Sequence, residues 1–292
     1  MRIVEISPNR KELNLNEWKK RTALESDFDS LIKEDTLIRD QKGNPLLLYL
    51  KPDLDFGPLK SVLQKIEYQA SERTGGLKTV SRVFGYQPRI ALRRDFCTAT
   101  SLAYADAHSN EIVCEYGRKI DPMYRQHFPK ISAMHNDQTS KVLPEWRIPG
   151  TVFTSGIINK NNPLKYHFDS GNFEHVCSCM LGLKKNILGG YLAVPELGLG
   201  FEIGDGSLTI FDGQSLLHGV TPIKRTTPDA YRYTVVYYAL KDMWKCETVE
   251  GEIKRIRRIR TEREFKRGGV PAVGKEIYQD QNGNIIESGE KE

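Results

Sequence analysis

Ser207-Leu-Thr-Ile-Phe-Asp-Gly-Gln-Ser-Leu-Leu-His-Gly-Val-Thr-Pro222 holds a short apolar run, an Asp-Gly turn and a histidine in close succession. Thr, Ile and Phe favour a pleated backbone, and Asp212-Gly213 supplies the turn that ends it. The same texture runs outward from this stretch, beginning at about Gly150. Thr151–Ile158, Val176–Leu183, Tyr191–Val194 and Tyr231–Leu240 are short segments rich in β-branched and aromatic residues. Gly189-Gly190 and Gly204-Asp205-Gly206 punctuate them. Several short strands at this spacing predict a β-sandwich or jelly roll. Strands do not alternate with helices here, which argues against a doubly wound parallel sheet.

The flanks read differently. Residues 1–80 are expected to form an N-terminal helical, α/β extension, with helical stretches such as Leu13–Leu24 and an amphipathic helix over Phe56–Gln69. Leu59, Val62, Leu63 and Ile66 share one face of that helix. Arg73-Thr74-Gly75-Gly76 reads as a loop. After Cys246, Glu250–Arg267 carries eight Lys or Arg and four Glu, with Ile253, Ile256 and Ile259 at helical spacing. It is expected to be a basic helix packed through its isoleucines, or a surface that contacts phosphates. The division is therefore 1–80, a core at 81–246 with its jelly roll mainly at 150–241, and a basic helix and polar tail at 247–292.

Composition narrows the class. Of 292 residues, 39% are hydrophobic and 28% charged, as in ordinary globular proteins. The longest purely apolar run, Leu46–Leu50, is too short to cross a bilayer, and Met1-Arg-Ile-Val-Glu-Ile-Ser-Pro8 lacks the apolar stretch of a signal peptide. No membrane association and an intracellular location are the expectations. Forty-three basic and 38 acidic residues leave a net charge of +5, a weak tilt toward an anionic partner. Five cysteines, odd in number and sparse, argue against a disulfide framework. Cys177 and Cys179 would share one face of a strand, where buried thiols are expected rather than a second metal site.

Leu164-Lys-Tyr-His167-Phe-Asp169 contains His-x-Asp, and His218 follows 51 residues after His167. On an extended strand, residues two apart point the same way, so His167 and Asp169 can reach one ion. Two imidazoles and a carboxylate on one side of a metal leave adjacent positions open, which suits non-haem Fe(II). His-x-Asp alone is weak. Arg232 and Thr234, which share a face of a strong strand, strengthen it. The outer carboxylate of an iron-chelating 2-oxo acid such as 2-oxoglutarate needs a charged partner, and arginine pairs with it bidentately. A hairpin through Lys224–Ala230 is expected to bring the Arg232 strand beside the one bearing His218. His108, His127, His135 and His175 are expected to be structural or at the surface.

With these residues in place, Ser81-Arg-Val-Phe-Gly-Tyr-Gln-Pro-Arg89, Phe153-Thr-Ser-Gly-Ile-Ile-Asn-Lys-Asn161, Tyr166-His-Phe-Asp-Ser-Gly-Asn172, Gly189-Gly-Tyr-Leu-Ala-Val-Pro-Glu196, Leu217-His-Gly-Val-Thr-Pro-Ile223 and Arg232-Tyr-Thr-Val-Val-Tyr-Tyr238 resemble the TET/JBP group of 2-oxoglutarate dioxygenases. The likeness is to its phage and bacterial members above all. The resemblance implies a double-stranded β-helix and the consumption of 2-oxoglutarate and O2 at Fe(II). It also implies hydroxylation of the 5-methyl group of a pyrimidine in DNA, either 5-methylcytosine or thymine, flipped or single-stranded. Asn172 matches the family's base-contacting position, and its amide suits either base. Arg82 and Arg89, with Arg93 and Arg94, are candidate DNA contacts. Phe84 and Tyr86 are candidates for stacking or for loop packing. No obligate protein partner is implied. The competing readings are a dioxygenase acting on a protein side chain or a small molecule, a jelly-roll protein with another metal, and a non-enzymatic nucleic-acid-binding module.

Overall fold

A computed structural model of the chain describes residues 1–6, 13–19, 21–73, 77–90, 94–266, 277–279 and 285–287. Two facing sheets dominate it. The larger has ten strands. In spatial order, nine of them are β1 (Arg2–Ile6), β3 (Thr36–Asp40), β4 (Pro45–Leu50), β14 (Ser207–Phe211), β10 (Ser178–Lys185), β17 (Tyr231–Tyr238), β8 (Ser155–Lys160), β6 (Leu77–Gln87) and β5 (Gln69–Arg73). The tenth, β7 (Thr98–Ala99), pairs with the end of β6. The smaller sheet runs β2 (Ser30–Ile32), β13 (Leu199–Phe201), β12 (Leu192–Val194), β15 (His218–Val220) and β9 (Leu164–His167). Two short antiparallel pairs complete the strands among the described residues: β11 (Ile187–Gly189) with β16 (Ile223–Arg225), and β18 (Ile277–Gln279) with β19 (Ile285–Glu287). Pairing is antiparallel except between β1 and β3 and between β2 and β13.

The helices are α1 (Leu15–Trp18), α2 (Gly57–Lys65), α3 (Ser101–Ala105), α4 (Ala107–His127), α5 (Pro129–Ser140) and α6 (Val249–Lys266). Leu59, Val62 and Leu63 of α2 and Val113, Tyr116, Ile120 and Tyr124 of α4 pack on the outer face of the large sheet. They meet Cys179, Leu181 and Leu183 of β10 and Tyr233, Val235 and Tyr237 of β17. The alternate residues of these strands turn inward: Ser178 and Met180 on β10, and Arg232, Thr234 and Val236 on β17, line a cavity between the sheets. Burial on both faces explains why these strands read as almost continuous apolar runs.

Three expectations change, and one unassigned stretch is filled. Residues 1–80 hold more strand than helix, because Thr36–Asp40 and Pro45–Leu50 extend the large sheet past β14; the Leu13–Leu24 helix is reduced to α1. The helices α4 and α5 fill a stretch that the sequence analysis leaves unassigned, and they supply much of the outer core. The Arg232 strand does not lie beside the His218 strand. β17 pairs with β10 and β8, whereas β15 pairs with β12 and β9 in the opposite sheet. Finally, although Cys114, Cys177 and Cys179 are free and buried, Cys97 and Cys246 form a disulfide. Of the loop expected at 73–76, residues 74–76 lie outside the described residues, as do Arg93 and most of the tail.

The disulfide closes a sequence separation of 149 residues. Closing a loop of that size removes much entropy from the unfolded chain. Cys246→Ser is expected to lower stability by about 3 kcal/mol, read from urea melts of oxidised protein; identical melts would show that the bond does not form. A second test concerns His135, which is fully buried among Tyr124, Phe153 and Phe173. Burial, helped by the Arg125 charge, pushes its pKa down to about 3. The unfolded chain then takes up a proton that the folded one refuses, so stability is lost as pH falls from about 6.5 toward 3. The loss between pH 7 and pH 5 should be smaller in His135→Gln than in the parent; an equal loss would mean that His135 is not the responsible group.

Candidate functional site

His218 opens β15 and faces His167, the last residue of β9, in direct register across the small sheet. Their rings lie 4.4 Å apart between centroids. Asp169 follows two residues after His167. Its backbone N–H donates to the Gly213 carbonyl at 2.9 Å, which ties it to the turn preceding β15. Asp169 Oδ1 lies 3.9 Å from His167 Nε2 and 3.8 Å from His218 Nε2. One ligand atom from each of the three residues falls within 4.8 Å of the others.

Local contacts orient this group. His167 Nδ1 donates to the Lys165 carbonyl and His218 Nδ1 to the Leu216 carbonyl, each at 2.9 Å. A carbonyl can only accept, so Nδ1 carries the proton and Nε2 is the nitrogen presented to a metal. Gly213 is needed for the same arrangement: a Cβ there would lie 2.3 Å from Asp169 Oδ2. Phe211 meets His218 edge-on at 5.0 Å. The donor set of two imidazoles and one carboxylate fits Fe(II) with positions left for other ligands.

The triad forms one wall of a cavity of about 280 Å³ between the sheets. Arg232 enters from the opposite wall, on β17. It is only 2% exposed, and its Nε and Nη2 have no acceptor among the described residues. Burial pushes the guanidinium pKa down to about 10, so it remains charged at neutral pH. A buried cation with unsatisfied donors, facing a cavity, is a place for an anion. Gly190 lets the side chain lie flat, since a Cβ there would sit 2.9 Å from Arg232 Cδ. The arrangement therefore fits the outer carboxylate of 2-oxoglutarate.

Thr234 is buried two residues on, and its Oγ1 accepts from Asn159 Nδ2 at 3.3 Å. Asn159 Oδ1 in turn accepts from Asn162 Nδ2 at 3.3 Å, and Asn162 Oδ1 accepts the Val80 N–H at 2.9 Å. Sequence reading missed this amide chain. The alternation of β8 carried the signal, because Asn159 shares the inward side with Ile157. Asn172 also lines the cavity, where its Nδ2 donates to Ser178 Oγ at 3.3 Å.

Arg82 and Arg89 are not brought to the cavity. Arg82 pairs across the sheet with Ile158, so it lies on the helix side with Phe84. Arg89 is bound to Glu247 and Glu252, at 3.0 and 2.5 Å. Arg94 donates to the Pro88 carbonyl and holds its own turn. Phe84 is a core residue, and half-buried Tyr86 packs edge-to-face with Trp146.

Residues 85–241 match the Tet_JBP family, described as the oxygenase domain of the 2OGFeDO superfamily. The chain is 24% identical over 228 residues to a "Bifunctional helicase and thymine dioxygenase JBP2" of Trypanosoma brucei brucei, covering 73% of this chain and 20% of that protein. It is 28% identical over 122 residues to the protein of the same description from Leishmania infantum, covering 41% of this chain and 11% of that one. The chain thus spans a fifth or less of the length of these relatives. Among solved structures, "NgTET1 in complex with 5mC DNA" superposes with a TM-score of 0.57 at 17% identity, covering 89% of this chain and 90% of that one. At that identity the likeness is one of fold. With more than half of its length matched, the chain belongs to the Tet_JBP family of 2-oxoglutarate- and iron-dependent dioxygenases.

Proposed function

We propose that this dioxygenase hydroxylates the 5-methyl group of a pyrimidine in DNA, thymine or 5-methylcytosine, using Fe(II), 2-oxoglutarate and O2. The observation that carries the reading is one cavity bounded by three chemistries: the His167, Asp169 and His218 triad, the unsatisfied guanidinium of Arg232, and the amide of Asn172. The relatives' described thymine oxidation and the DNA bound to the structural neighbour support the choice of substrate class.

Each residue has a distinct task in this reading. His167, Asp169 and His218 hold the metal, their orientation set by the Lys165, Leu216 and Gly213 carbonyls. Arg232 neutralises the outer carboxylate of 2-oxoglutarate, and Thr234, fixed by Asn159, adds a hydroxyl beside it. Iron and 2-oxoglutarate, when bound, supply with O2 the oxidising power needed to attack a methyl group. Asn172 both donates and accepts, so it can hold the polar edge of a pyrimidine and set its methyl group toward the triad. The cavity lies between two sheets, so a base reaches it only after leaving the stack.

Incubation with Fe(II), 2-oxoglutarate and DNA containing thymine or 5-methylcytosine, followed by nucleoside mass spectrometry, is expected to yield a 5-hydroxymethyl base. His167→Ala and Asp169→Ala should yield none. Succinate released with a peptide substrate, and no oxidised pyrimidine, would refute the DNA reading. For Arg232→Met, loss of a charged hydrogen bond worth roughly 1.5–3 kcal/mol should weaken 2-oxoglutarate binding ~10–100-fold. Thermal melts provide the second readout. Added 2-oxoglutarate should raise the melting temperature of the metal-loaded parent and leave that of the variant almost unmoved. Equal shifts would show that another residue anchors the cosubstrate.

A further inference from the structure

Three features connect α6 with the Asn172 end of the cavity and give it a basic face. The first is a small satellite core that links the two. Leu240, on the cavity wall, packs with Phe173, Ala239, Met243 and Cys246, and Asn172 bridges to Leu240. The chain then runs through one 3-10 turn, Lys241–Lys245, into Cys246 and α6. The second is the anchoring. Cys246 is bonded to Cys97, and the Trp146 indole donates to the Glu247 carbonyl at 2.7 Å. Buried Glu252, in the first turn of α6, accepts from the backbone N–H groups of Cys97 and Glu247 and from Arg89. Arg255 and Arg263 both reach Asp95.

The third feature is charge. The helix has seven Lys or Arg against four Glu, a net of +3 in a chain whose whole net charge is +5. One glutamate, Glu252, is spent inward. The expected isoleucine packing is only partly made: Ile253 is 45% exposed, and the inward face is led by Glu252, Arg255, Ile256 and Ile259. Lys254, Arg257 and Arg258, at positions i, i+3 and i+4, share the outward face and are exposed. Arg257 makes no ion pair among the described residues, and Lys254 and Arg258 pair only with exposed or half-exposed glutamates of the same helix. Such pairs are weak and exchange readily for phosphate.

We propose that the outward face of α6 is a DNA-backbone contact, a docked ridge whose Lys254, Arg257 and Arg258 hold phosphates flanking the base in the cavity. This rests on DNA being the substrate. Phosphate contacts position the duplex and carry no sequence information, which matches a cavity that reads one base. Glu252 and the disulfide fix the helix on the core, so the ridge is set before DNA arrives and little ordering entropy is lost on binding.

The test uses the full oxidised chain and a fluorescent duplex containing 5-methylcytosine and thymine, with binding followed by anisotropy across a potassium chloride series. Each phosphate contact contributes about 0.9 to the slope of log affinity against log salt. The combined Lys254→Gln, Arg257→Gln and Arg258→Gln variant should have a slope shallower by about 2 to 3. A control with the same charge change outside α6, at Lys42, Lys119 and Lys130 on the β3–β4 turn, α4 and α5, should keep the parent slope. Unchanged 2-oxoglutarate binding reports that both variants are folded. A parental slope in the α6 variant, or an equal loss in the control, overturns the proposal while leaving DNA as substrate. Absence of DNA binding by the parent overturns both.

Discussion

A full positive charge inside the β-sandwich governs the design. Taking an arginine out of water costs several kcal/mol unless it is compensated. Arg232 is buried with two guanidinium nitrogens unsatisfied among the described residues. The surroundings hold it rigidly in that state. Its strand is clamped between β10 and β8, its backbone N–H donates to the Asn161 side chain at 2.7 Å, and Gly190 leaves room beside its stem. The protein therefore carries a buried, uncompensated charge that suits an entering carboxylate.

The two halves of the site come from different sheets. The metal group rests on register within the small sheet, where His218 and His167 face each other. The Arg232 and Thr234 wall rests on alternation along one strand of the large sheet. Neither sheet makes a site alone. The distance between them is set by side chains such as Met180, Leu192 and Phe211, which belong to one apolar cluster spanning both layers. Packing in that layer thus tunes how far the His167, Asp169 and His218 group stands from the Arg232 charge.

What the sequence disclosed and withheld follows from the range of the interactions concerned. Strand content from 150 to 241 was legible because it depends on local residue types and on alternation. His-x-Asp was legible because strand geometry over three residues is nearly invariant. The sheet to which β17 belongs was not, because nothing within Lys224–Ala230 says whether the chain turns back or crosses over; it crosses. Residues 36–50 were taken for part of a helical extension because their strands are defined by long-range pairing with β14. Arg82 and Arg89 drew attention as charges, but one faces the helix layer and the other is committed to Glu252 on α6. The Cys97–Cys246 pair escaped for the same reason: an odd count in the chain says nothing about two thiols that folding brings together.

That disulfide has a topological consequence. The triad, Arg232, Thr234, Asn159 and Asn172 all lie between its two cysteines. The functional apparatus is thus a covalent ring, with β1 to β6 entering it at one end and α6 leaving at the other. A single cut in any loop of that ring would not release a fragment. The pieces would stay joined through sulfur, and the nick would show on a gel only after reduction.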